Sequence, residues 1–344
     1  RAALLVLLLV LLFSASWITG TVIEYQWWKE MGQVETWLQM LSYGFLPIAL
    51  GVLPAFAALW VAHARGMKHA GASLRGNPGY ARLVTAALFL LAMIISASSI
   101  DSNTVVRWAG SRGLDAGAWQ DPVFGHPLAF YFFQLPFYRV LLGYLLGVSF
   151  FTAVAYWLTA RGWALRQRFS GWQQPGQVEL DFRDLGIQDA FDAKFLRGAA
   201  VVFLAALAFR FFLGRYDLLF EDHGSLVGVD WVAEHFTLPL IALNIAATAV
   251  AALAILLGRL RWTLLLPAAL LLSGVLPRLV TAVYVRPSEI TIQKPYIVRH
   301  IEATRAAYGL TSRVHETEFN ARLEAPIDRA KHQPLLDKIG RAHV

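Results

Sequence analysis

The chain has 344 residues, 57% of them hydrophobic and 15% charged, with a formal net charge of +7. Soluble domains carry roughly 45–50% apolar and about 25% charged residues, so a wholly water-soluble class is excluded. There is no cysteine, which removes disulfides, thiolate metal sites and cysteine nucleophiles. The basic balance is that of cytoplasmic loops. No basic stripe with interleaved aromatics occurs, so nucleic acid is not a partner.

A helix crossing a hydrocarbon core needs about 20 mostly apolar residues. Seven blocks qualify, at about 2–18, 41–62, 83–99, 137–160, 195–213, 236–257 and 262–285. The first block also has features of a secretory leader, since Ser14, Ala15 and Ser16 are small and follow an apolar core. That core is longer than the roughly 7–15 residues of such leaders, which favours a span.

Orientation follows from the short loops. One set holds Arg1, Arg65, Lys68, Arg75, Arg82, Arg161, Arg166, Arg168, Arg183, Lys194, Arg197, Arg259 and Arg261; the alternate set holds only Lys29, Arg107, Arg112 and Arg215. Positive residues stay inside, so the amino end is cytoplasmic and everything after Val285 lies outside.

Between spans three and four, "DPVFGHPLAFYFFQLPFYR" (Asp121–Arg139) sets Phe130, Tyr131, Phe132 and Phe133 between Pro127 and Pro136. The aromatics suit an entry collar at the headgroup level, with Pro136 in the first turn of span four. A re-entrant segment lining a substrate path is the alternative. Span four then carries Gly143 and Gly147 as a G-x-x-x-G, which suits close packing inside the bundle or a homo-oligomer contact. On the other side, Leu180–Arg197 reads as an amphipathic helix lying in the interface.

Past span seven the chain turns polar. Ile297, Ile301, Thr304 and Tyr308 share one helical face, with Pro295 just ahead and Gly309 as the stop. "VHETEFNARL" reads as a strand. The expected architecture is therefore an all-α membrane bundle of seven transmembrane helices (1–285), followed by the start of a truncated extracytoplasmic α/β domain (286–338). Residues 339–344 read as a non-native tail and are set aside.

The most specific stretch is "RPSEITIQKPYIVRHIEATRAAYGL" (Arg286–Leu310). With the Asp121–Arg139 stretch, "RYDLLF" (Arg215–Phe220) and "HFTLP" (His235–Pro239), it resembles uncharacterised protein family 0182, large prokaryotic membrane proteins. The motif residues here are Pro295, Tyr296, Ile297, Ile301, Thr304, Arg305, Tyr308, Gly309 and Leu310. The resemblance implies seven spans and a long extracytoplasmic carboxyl-terminal region, and it brings no catalytic residues. Two departures stand out. Gln293 replaces an acid of the family pattern, and Trp231, Val232 and Ala233 replace its Tyr-Thr-Asp.

Two clusters are candidate sites. Arg139, Arg210 and Arg278 lie within or at the rims of spans, where a charge costs on the order of 2.5–3.5 kcal/mol, so each needs a partner. Together they would suit an anionic lipid headgroup or substrate. The plainer reading is snorkelling, or pairing with Asp101 or Asp217. Asp222, His223, Glu234 and His235 combine carboxylates with imidazoles and would suit a divalent cation, but their spacing matches no metal signature. A solvated acidic loop is the plainer reading, and no cofactor is expected.

Three functional classes stay open: an envelope scaffold or assembly factor binding other envelope proteins, a membrane enzyme acting on lipid or envelope polymer, and a channel or transporter. No nucleotide-binding or hydrolase signature occurs. The middles of spans two, three and six lack the ionisable residues that coupled transport uses.

Overall fold

The computed structural model describes residues 2–71, 78–114, 119–170, 194–224, 226–315, 330–334 and 337. Among them helices dominate and no β-sheet forms. The bridges Gln120–Pro127 and Asp222–Val227 are isolated. By contact the chain divides into Arg1–Tyr296 and Ile297–Val344. Leu180–Ala193 of the expected interface helix, most of the expected strand and the tail lie outside the described residues.

The helices are α1 (Ala2–Glu30), α2 (Val34–His69), α3 (Pro78–Ser99), α4 (Ser102–Gly110), α5 (Leu135–Ser170), α6 (Lys194–Gly214), α7 (Leu238–Leu256), α8 (Leu265–Val280), α9 (Glu289–Ala307) and the short α10 (Leu310–Arg313). Among the described residues, six helical stretches are long and apolar enough to cross a membrane: Val34–His69, Pro78–Ser99, Phe130–Ala164, Lys194–Phe220, Ala233–Leu256 and Leu260–Ala307. Each holds one of the expected blocks two to seven. The first block opens α1, which runs on to Glu30.

Packing follows the chain. α2 lies against α3 and α5, α5 against α6, α6 against α7, and α7 against α8. Small residues admit close backbone approach between such helices. Ala55, Ala62 and Ala92 are accordingly fully buried, and Val52, Leu59, Leu88, Ile95 and Tyr144 surround the α2–α3–α5 seam. A Cβ on Gly66 would stand 2.9 Å from both Thr159 Cβ and the Tyr156 carbonyl oxygen of α5. Gly51 is similarly closed off by Ile100, and its carbonyl accepts from the Tyr144 hydroxyl at 2.5 Å. Of the glycines singled out by spacing, Gly147 meets Ser99 and Ile95 at ordinary contact distance, while Gly143 faces open space.

Three turns widen to the π form: Phe130–Gln134, Ala233–Thr237 and Thr281–Val285. Each closes with an amide reaching back five residues, from Leu135 to Phe130, Leu238 to Ala233 and Arg286 to Thr281. In each case the next residue is a proline: Pro136, Pro239 and Pro287. A proline ring collides with the carbonyl four residues back and offers no N–H. Widening the preceding turn moves that carbonyl aside, so the helix continues through the proline.

This corrects the expected place of Pro136. Helical backbone already runs from Leu128, so Pro136 lies inside a continuous helix and not in its first turn. Phe130 and Tyr131 are buried and Phe132 is exposed, so the aromatics divide between the core and the outer surface. Past Val285 the backbone also stays helical. α9 begins six residues before Pro295 and encloses it, and Gly309, at φ +65°, stands after it as expected of a stop.

Candidate functional site

The most organised polar structure stands where the α5 and α6 ends meet, built on Asp121. An Asp followed by Pro and, four residues on, by Gly forms a tight turn that folds its own amides onto the carboxylate. Oδ1 accepts from the Val123 and Phe124 amides at 2.9 and 2.7 Å, and Oδ2 from the His126 amide at 2.8 Å and the Tyr131 hydroxyl at 2.7 Å. Asp121 is only 5% exposed. Burial alone would raise its pKa, but the hydrogen bonds from Phe124, Tyr131, His126 and Val123 outweigh it and hold the carboxyl below its ordinary range.

The turn docks on the Arg215–Phe220 3₁₀ segment that follows α6. His126 Nε2 lies 3.0 Å from the Tyr216 hydroxyl, which also accepts from Arg215 at 2.6 Å. The Arg215 guanidinium sits over the Phe212, Tyr216 and Phe124 rings at 4.0, 4.7 and 5.5 Å, and its buried Nε has no partner. Phe130, Tyr131, Leu135, Leu213 and Tyr216 fill the space beneath. Arg139 forms an ion pair with Asp217, tying α5 to the same segment.

A second knot joins the α7 and α9 ends. Asp230, 5% exposed, accepts from the Ala233 amide at 2.7 Å and from Gln293 Nε2 at 3.0 Å, and Gln293 Oε1 accepts from the Trp231 amide at 3.1 Å. A carboxylate at position 293 could not donate to Asp230, so the departure from the resembled pattern has a structural counterpart. The Tyr296 hydroxyl donates to Glu234 at 2.5 Å, and His223 Nε2 lies 4.0 Å from Asp230 Oδ1.

The two candidate clusters fare differently in this frame. Arg139 finds the Asp217 partner, whereas Asp101 caps α4, accepting from the Asn103 amide at 3.2 Å and the Thr104 hydroxyl at 2.5 Å. The Thr104 hydrogen bond leads the causes that hold the Asp101 carboxyl below its usual range. Arg210 and Arg278 are exposed on α6 and α8. Asp222 accepts from the Gly224 amide, Glu234 serves Tyr296, and His235 Nδ1 faces the Trp231 carbonyl. Among the described residues no three His, Asp or Glu side chains gather in a metal-holding group. Of the motif residues in α9, Tyr296 is buried, Ile297 is half-buried, and Pro295, Thr304 and Arg305 are exposed.

Sequence reading gave Asp121 and Arg215 no role in a site, counted Asp230 only among the acids of its loop, and missed α4. Signals existed for Asp121 and Asp230: Asp-Pro-x-x-Gly is a turn signature, and Asp230 stands three residues before Ala233, in the capping position of a helix. Arg215 carried no signal, because its aromatic partners come from two separate segments.

These features define a helical bundle whose ends are locked by buried carboxylates. A family model described as "Uncharacterised protein family (UPF0182)" matches residues 1–339. The chain belongs to that family. Over 98% of its length it is 48% identical to a UPF0182 protein of Solibacter usitatus, covering 37% of that protein. It is 27% identical to one of Cupriavidus necator, over 90% of this chain and 35% of that protein. A Mycobacterium marinum member is 33% identical over 67% of this chain and 22% of its own length. The chain thus spans little more than a third of the first of these relatives. No solved structure matches it.

Proposed function

We propose that the chain is the membrane anchor of a larger plasma-membrane protein, an envelope scaffold or assembly factor presenting an extracytoplasmic α/β region to other envelope proteins. α1 and the six apolar stretches make seven spans, amino end inside. The observation carrying this reading is the outward-facing apolar surface: Leu50, Leu53, Ile94, Leu271 and Val283 are each at least 60% exposed. A water-soluble fold does not leave so many large apolar side chains uncovered. The buried carboxylates support a scaffold role over catalysis, since Asp121 and Asp230 spend their oxygens on hydrogen bonds that hold the ends of the bundle.

The absence of cysteine makes the topology directly testable. Lys68→Cys and Glu302→Cys place single thiols at exposed positions. In intact cells an impermeant maleimide is expected to label the second and to reach the first only after permeabilisation. Equal labelling of both, or the reverse order, overturns the seven-span reading. The scaffold role further expects envelope proteins to co-purify with the anchored chain.

A further inference from the structure

An open groove of about 610 Å³ runs along the α2–α5–α6 junction, within the range of small-molecule sites. Its walls are apolar, formed by residues such as Ala57, Val61, Val148 and Gly198, and they carry two features that apolar packing does not call for. Lys194, at the first position of α6, stands at one end and is exposed. Thr152 lines the wall, is 6% exposed, and its hydroxyl has no hydrogen-bond partner. The neighbouring Ser149 shows the usual alternative, bonding back to the Leu145 carbonyl at 2.6 Å.

We propose that this groove binds an anionic glycerophospholipid of the cytoplasmic leaflet. One acyl chain lies along α6 from Lys194 toward Val202, a run of eight residues or about 12 Å. The phosphate meets the Lys194 ammonium, and an ester carbonyl accepts from the Thr152 hydroxyl. Charge selects the occupant: the cytoplasmic leaflet is the anionic one, and basic residues near it attract its headgroups. Arg161, Arg197, Arg65 and Lys68, on the helix ends assigned to that side, add to the attraction. The site is distinct from the Arg139, Arg210 and Arg278 cluster, which the same orientation puts in the opposite leaflet.

The inference rests on the membrane reading, and the experiment separates the two. One portion of the purified chain is reconstituted into vesicles to check insertion, and another is titrated in detergent with phosphatidylglycerol or phosphatidylcholine of matched acyl chains, with bound lipid read by native mass spectrometry. Phosphatidylglycerol is expected to be retained over phosphatidylcholine. Lys194→Gln is expected to cut that retention roughly fivefold, and Thr152→Val to weaken both lipids about threefold. A Cβ on Gly198 meets nothing within 4 Å, so the side chain of Gly198→Leu starts in open space and is expected to exclude both lipids. Equal retention of the two lipids by inserted wild type, or unchanged retention in Gly198→Leu, overturns the site. Cross-linking from Gly198→Cys to residues 171–193, in place of lipid, also overturns it. Failure to insert at all counts against the membrane reading instead.

Discussion

Replacing Asp121 tests whether the rim of the bundle is held as described. Its Oδ1 serves two amides and its Oδ2 serves the His126 amide and the Tyr131 hydroxyl. In Asp121→Asn the amide oxygen can keep the first pair. The new NH₂ then faces the His126 N–H, donor against donor, while the Tyr131 hydroxyl can rotate to accept. One orphaned backbone donor costs about 1–3 kcal/mol. Asp121→Ala strands all four donors, and at about 1 kcal/mol each, allowing for water entering the turn, the loss is about 4 kcal/mol. The assay is denaturant unfolding of the purified protein in mild detergent, followed by tryptophan emission. The ordering wild type, Asn, Ala is the expected result. An Ala variant within about 1 kcal/mol of wild type would refute the claim that this carboxylate organises the rim.

The same residue sets a pH dependence. Its folded carboxyl titrates below the ordinary value of 3.8. A depressed acid stabilises the fold above its unfolded pKa, and that contribution is lost as pH falls through the lower folded value. Wild type should therefore lose stability steeply below about pH 4, and Asp121→Ala should show a shallower acid limb.

Two further predictions concern packing and charge. Gly66→Leu should push α2 from α5 and cost at least 1–3 kcal/mol, because the Tyr156 carbonyl oxygen is backbone and cannot swing aside. Gly143→Leu should be near neutral, since its Cβ enters open space; equal losses in parallel unfolding curves would refute the packing assignment. Arg139→Ala should cost no more than about 1 kcal/mol, because the side chains of Arg139 and Asp217 are 41% and 59% exposed. A double-mutant cycle with Asp217→Ala measures the coupling, and a value well above that limit would show the pair to be shielded from water.

The apolar blocks were legible one by one because membrane crossing is a property of a contiguous window: about 20 apolar residues make a span whatever their neighbours are. The glycines were not, since spacing marks small residues but only the packed arrangement decides which side of a helix meets another. That is why Gly66 and Gly51 are closed in while Gly143 stands open. The Arg139–Asp217 pair was legible as one of two alternatives. Distance in the fold chose it, and Asp101 went to capping α4.

The order of apolar blocks, the charge asymmetry between loops and the family motifs were thus determined by the sequence itself, being local or compositional. Tertiary structure alone decided that the Asp121 turn docks on Tyr216, that Gln293 reaches Asp230, and that an arginine settles among rings from two segments. His126 and Tyr216 stand 90 positions apart, and Gln293 and Asp230 63. No local pattern encodes such a pairing, because it depends on where whole helices come to rest.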